Sequence, residues 1–281
     1  MDIYLLYLCL GATAGLISGL FGLGGGVVIV PILIFTFTAQ GMTQAVLTHL
    51  AIGTSLATIV VTSVSSILSH HKHGAVLWTL AGWLTPGICI GAALGAVFAV
   101  SISGAALQLA FGIFLCLVAL KMAFALSPTG GANMPGRAGQ SMVGAVVGFV
   151  ASLFGIGGGS LTVPYLTWVR VPMKNAVATS AACGLPIAVS GALTYWWQGV
   201  GEPDLPDGAI GFIYLPAFFG IIVASTIFAR VGARAAHRLP GEILRRSFAL
   251  LLLIIGVRLK YRKSSKWALM LNHTEVAATV L

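Results

Sequence analysis

Charge is what this sequence has least of. Asp, Glu, Lys and Arg make up 7% of its 281 residues, against about 25% in an average soluble domain. The six acidic side chains are Asp2, Glu202, Asp204, Asp207, Glu242 and Glu275, and none lies inside a long apolar run. A soluble chain of this length needs far more charge to cover its surface, so that class is excluded. The missing intramembrane acids also argue against a carboxylate proton relay or a carboxylate cation cage. Cysteine is scarce as well. Cys9, Cys89, Cys116 and Cys183 are dispersed through apolar runs with no Cys-x-x-Cys or Cys/His spacing, so neither a disulfide framework nor a metal site is expected. No positively charged segment precedes the first apolar run, which reads as a membrane segment rather than a removed leader.

What is present is apolar length. Hydrophobic residues make up 58% of the chain and its mean hydropathy is +1.01. Residues 3–71, 75–120, 138–169 and 175–201 contain no Asp, Glu, Lys or Arg. A membrane-spanning helix needs about 20 apolar residues, so the chain is polytopic. Helices are predicted near 3–21, 26–38, 44–69, 75–99, 104–125, 141–154, 159–169, 174–197, 209–229 and 242–260. The net charge of +9 sits in the loops between apolar runs. That is where orientation signals belong, and it does not read as a nucleic-acid surface.

The chain repeats itself. Residues 11–35 read GATAGLISGLFGLGGGVVIVPILIF, and residues 144–168 read GAVVGFVASLFGIGGGSLTVPYLTW, at a constant offset of 133. AIGTS at 51–55 matches AVATS at 176–180, and Pro86 is read opposite Pro216. Internal repeats of this kind are a transporter signature. The polar, Pro- and Gly-rich stretch 127–140 separates the halves. The domain reading is therefore repeat 1 of a single transmembrane domain over 1–126, a linker at 127–140, repeat 2 over 141–260, and a C-terminal extension over 261–281.

Loop charges set the relative orientation of the halves. The loop at 70–73 is basic, while its counterpart at 199–208 carries Glu202, Asp204 and Asp207. The turn at 100–104 is uncharged, while its counterpart carries Arg230, Arg234, Arg238, Arg245 and Arg246. Basic loops tend to face the cytoplasm, so equivalent loops fall on opposite sides. Residues 141–169 then begin and end on one side, yet are too short for two spans of about 20 residues each. The expected fold is an all-α polytopic membrane protein of two inverted repeats. Each is a Gly-tipped re-entrant or broken helical hairpin plus three spanning helices. Both termini fall outside the cytoplasm, which puts the basic residues Arg258, Lys260, Arg262, Lys263 and Lys266 on the unusual side.

The glycine runs give candidate binding residues: Gly22, Gly24, Gly25 and Gly26 in the first half, Gly155, Gly157, Gly158 and Gly159 in the second. Glycine breaks helices, and broken backbone inside a membrane must be buried in protein or line a cavity. Each new helix starts with free N–H groups and a positive dipole end. Two such ends facing each other make an anion site without formal charge. Ser160 can cap the second of these helices or touch a ligand. Thr54, Ser55, Thr179 and Ser180 can donate to an anion. The competing readings are close helix packing for the glycines and interhelical glue for the hydroxyls. Pro31 and Pro164 are read as helix-shaping. Phe21 and Phe154 are gate candidates, with plain packing as the alternative. His49 and Lys174 are read as rim residues, and the tryptophans as an interfacial belt.

The paired stretches GLFGLGGGVVIVP and SLFGIGGGSLTVP are each followed by a helix that starts with a GTS or ATS element. With HHKHGAVLW, they resemble the sulfite exporter TauE/SafE family from about residue 4 to 259. The resemblance implies a bacterial cytoplasmic-membrane transporter of sulfite, sulfonates or related sulfur-containing or organic anions. The expected function is export of a small anion by alternating access, with no catalytic residues, metal or cofactor. The expected partners are the anion and the lipid bilayer. An anion channel and a transporter of another solute, including metal ions, are the alternatives. An intramembrane enzyme is disfavoured, because the chain lacks a paired Asp, a metal triad and a deeply placed His.

Overall fold

The computed structural model describes residues 3–21, 26–123, 134–236, 250 and 252–256. Among these residues the backbone is almost entirely helical. The elements are α1 (Ile3–Phe21), α2 (Gly26–Ala39), α3 (Gln44–Lys72), α4 (Trp78–Ser101), α5 (Gly104–Ala123), α6 (Arg137–Phe154), α7 (Gly159–Trp168), α8 (Met173–Gln198), β1 (Ala209–Ile210), β2 (Ile213–Tyr214) and α9 (Leu215–Ala236). Helices α3, α4, α6 and α8 are each long and apolar enough to cross a membrane. Residues 250 and 252–256 are helical, within the helix predicted at 242–260; the rest of that helix lies outside the described residues. So do residues 127–133 of the linker and the extension at 261–281.

One predicted helix begins late. Residues 209–214 form a two-stranded antiparallel hairpin, with Ala209 paired to Tyr214 and Ile210 to Ile213. Gly208 (φ 85°) and Gly211 (φ 54°) take left-handed backbone there, and glycine does so at no steric cost. A side chain on Gly211 would overlap the Trp196 carbonyl at the end of α8. Helix α9 starts only at Leu215, and Pro216 occupies its first turn, where a missing N–H is harmless. Pro86 lies well inside α4. The two prolines therefore do not hold equivalent places.

The chain divides into two compact units, Met1–Gly104 with Ser127–Pro240, and Ala105–Leu126 with Gly241–Leu281. The division does not follow the sequence halves, because each unit draws on both. In the second unit, Gly256 lies against Cys116 and the Gly112 carbonyl.

In the first unit, each half's first helix packs on the fourth helix of the other half: α1 on α9, and α6 on α4. Small residues allow the close approach. Gly11 lies against Gly220 and Ile221, and Gly15 against Ser225. Their repeats, Gly144 and Gly148, lie against Leu84 and Ile88. The third helices, α3 and α8, pack on each other at the centre of this unit. The exposed side chains are largely apolar, such as Ile90, Leu94, Leu193 and Phe219, as lipid contact requires. Trp78, Trp168, Trp196 and Trp197 stand exposed at helix ends, where interfacial tryptophans belong. Trp83 instead lies within α4, with the Arg137 guanidinium 4.3 Å from its ring centroid.

Candidate functional site

The second hairpin shows how the glycines break a helix. Helix α6 ends at Phe154, and Gly155 follows with φ 66° and ψ 31°. The Ile156 N–H bonds the Ala151 carbonyl (2.9 Å), and the Gly155 N–H bonds the Ser152 carbonyl (3.3 Å). This is the paired-bond stop that a left-handed glycine makes at a helix end. After Gly157, Gly158 stands at the start of α7, and no side chain caps it. The tip itself, residues 155–158, is buried.

The two tips meet. Gly26 opens α2, and a Cβ placed on it would come within 2.5 Å of the Gly155 carbonyl oxygen and 2.9 Å of the Ile156 Cα. Gly155 also faces Val30 of α2 and Ile52 of α3. Gly158 faces α8, where a Cβ on it would lie 3.0 Å from the Ser180 carbonyl and 3.2 Å from the Gly184 nitrogen. Helix α7 begins at Gly159, with Ser160 next. Gly22, Gly24 and Gly25 lie outside the described residues, as does the side chain of Phe21, the last residue of α1.

The Thr-Ser pairs reach the same region from α3 and α8. The Ser55 hydroxyl donates to the Gly155 carbonyl at 2.9 Å, tying α3 to the tip. Ser180 instead donates to Val177 of its own helix at 2.8 Å. Thr54 donates to the Leu50 carbonyl at 2.6 Å and accepts the Tyr214 N–H at 2.9 Å. Thr179 accepts the Leu77 N–H at 3.0 Å. Each threonine therefore anchors the backbone just before the other half's fourth helix. Pro31 is buried within α2 and Pro164 sits within α7. Phe154 is buried at 6% exposure at the end of α6.

His49 is not at a rim. It is buried on α3, with Nε2 3.0 Å from the Ala99 carbonyl and its ring 5.5 Å from that of Phe212. An imidazole can bury its ring and satisfy one nitrogen on backbone. Lys174, its counterpart, is exposed at the start of α8.

The sequence reading missed Ser152, Thr162 and Tyr165. With Ser160 they carry buried side-chain oxygens that have no hydrogen-bond partner among the described residues. The signal was there in the repeat itself, at positions where one half has a hydroxyl and the other does not.

Comparison with known proteins gives the family. The family described as "Sulfite exporter TauE/SafE" matches residues 7–259. A probable membrane transporter protein of Haemophilus influenzae is 36% identical over 256 residues, covering 91% of this chain and 97% of that protein. The probable membrane transporter protein YunE of Bacillus subtilis is 30% identical over 282 residues, covering 92% and 97%. A probable membrane transporter protein of Methanocaldococcus jannaschii is 28% identical over 266 residues, covering 90% and 93%. No solved structure gives a significant match.

Proposed function

The chain belongs to the TauE/SafE sulfite exporter family of membrane transporters, and from that premise we propose that it exports a small oxyanion, sulfite or a sulfonate, by alternating access. The contact of Gly26 with Gly155 and Ile156 carries this reading. It sets the start of α2 against the tip of the second hairpin, and no side chain caps the N-terminus of α7. A helix N-terminus favours an anion through its free N–H groups and dipole. The substrate sits at this meeting point, near Ser160 and the Thr-Ser pairs. Bonds already made by Thr54 and Ser55 make them positioning groups for the site.

The halves are inverted repeats in the bacterial cytoplasmic membrane, with both termini outside. The reciprocal packing of α1 on α9 and of α6 on α4 supports two equivalent halves. The inversion rests on the loop charges. One repeat rocks against the other around the shared tips. Export of an anion from a negative interior gains about 2.3 kcal/mol per charge per 100 mV, so no proton site is required.

The test is sulfite efflux from liposomes holding the purified protein, with the interior clamped negative or at zero potential. Saturable efflux that rises with negative interior potential and shows counterflow is the expected result. Non-saturable flux without counterflow identifies a channel. Absence of sulfite and sulfonate flux at either potential removes the substrate assignment.

A further inference from the structure

The two glycines inside α8 meet the rest of the fold differently. At Gly191 a Cβ would stand 2.8 Å from Leu56 Cδ1 and 2.8 Å from the Ser152 hydroxyl oxygen, so that place is already filled. At Gly184 it would meet only the Ser63 hydroxyl oxygen at 3.5 Å and the Gly158 nitrogen at 3.6 Å, both ordinary contacts. Two polar atoms, one from α3 and one from the tip of the second hairpin, therefore converge on a methyl-sized space beside α8.

Neither atom is otherwise used. Ser63 is 8% exposed. Thr54, Thr58 and Thr62 of the same helix bond back to the preceding turn. The Ser63 hydroxyl has no hydrogen-bond partner among the described residues. Gly158 is buried as well, and its N–H belongs to the unbonded start of α7. Buried donors without acceptors call for a reason.

The first half fills the equivalent place. The AIGTS and AVATS elements set Ser55 opposite Ser180, an offset of 125, which puts Ile59 opposite Gly184 and Ala188 opposite Ser63. Ile59 Cδ1 would stand 2.8 Å from a Cβ on Gly26, at the start of α2. Ala188 is fully buried and brings no donor. Aliphatic groups thus stand at the positions equivalent to the space and to the hydroxyl.

We propose that Ser63 and Gly184 form a subsite for one oxygen of the transported anion, held between the Ser63 hydroxyl and the Gly158 N–H. An N–H can only donate and a hydroxyl can donate, so the atom between them is an acceptor, and a cation finds no ligand in the N–H. The start of α7 adds its positive dipole end at the same point. Gly184 contributes by having no side chain. The subsite rests on the transport reading and deepens it by assigning it one residue on α3 and one on α8.

The experiment measures saturable sulfite exchange by the full chain in liposomes, together with the thermal midpoint of each variant in detergent. In Gly184→Ala the methyl takes the place of the oxygen. The half-saturating sulfite concentration should rise about tenfold or more. The midpoint should stay the same or rise, because alanine is favoured over glycine inside a helix and meets nothing closer than 3.5 Å here. Ser63→Ala removes a hydrogen bond to a charged group and should raise half-saturation about tenfold. Gly82→Ala on α4, with nothing within 4 Å of its Cβ, is the control and should leave half-saturation unchanged. Unchanged half-saturation in either Gly184→Ala or Ser63→Ala overturns the proposal, whatever happens to the maximal rate. So does an equal rise in Gly82→Ala, or a lowered midpoint in Gly184→Ala, which would show that the space is not there. Absence of saturable sulfite and methanesulfonate flux through the unaltered protein overturns the transport reading itself, and the subsite with it.

Discussion

The two Thr-Ser pairs begin alike and end differently. Thr54 and Thr179 do the same task in opposite halves: each receives the backbone N–H just ahead of the partner half's fourth helix, from Tyr214 and Leu77 respectively. Ser55 and Ser180 have parted. One crosses to the Gly155 carbonyl and the other turns back onto its own helix. The repeat has kept the bonds that hold its frame and let the groups nearest the tips diverge.

That contrast can be broken or sharpened by substitution, beginning at the tips themselves. Gly26→Ala must displace the Gly155 carbonyl, which is backbone and cannot swing away. We expect a loss of about 1–3 kcal/mol, read as a lowered unfolding midpoint, and transport at background in Gly26→Leu. Gly158→Ala has its nearest neighbour at 3.0 Å and helical backbone, so its loss should stay below about 1 kcal/mol. Equal costs at both glycines would remove the argument that the tips touch through Gly26.

Next come the threonines. Thr54→Val leaves the N–H of buried Tyr214 without its acceptor, at about 1–3 kcal/mol. Thr179→Val should cost less, because Leu77 is 37% exposed and its N–H can find another partner. Thermal unfolding in one detergent ranks the two variants, and the reverse order would break the comparison. The serines should show the smallest effects. Ser55→Ala loses a buried bond between elements, for about 0.5–1.5 kcal/mol. Ser180→Ala loses only a bond within its own helix, for about 0.5 kcal/mol or less. An equal pair of losses would restore full symmetry to the two sites.

Much of this was legible in the residues. Apolar runs and glycine breaks placed α1–α8 within a few residues of their observed ends, because in lipid a backbone has few options besides the helix. The 133-residue repeat identified the second tip and its contacts on α3 and α8 as a region of interest. The hairpin at 209–214 was hidden, because a short apolar run such as Ala-Ile-Gly-Phe-Ile-Tyr fits strand or helix equally well. His49 was misread because a histidine near a helix start looks interfacial until α4 is seen to cover it. The free hydroxyls were legible only as positions where the two halves differ. Sequence gives a hydroxyl's position, and only the packed structure gives its bonds.

The reciprocal packing of α1 on α9 also bears on how the chain is made. The helix that covers the glycine face of α1 is more than 190 residues downstream of it. At about 5–20 residues per second, α1 waits roughly ten to forty seconds before α9 can cover Gly11 and Gly15. Helix α6, by contrast, emerges to find α4 already in place. Premature termination after α8 leaves the glycine face of α1 without the helix that covers it.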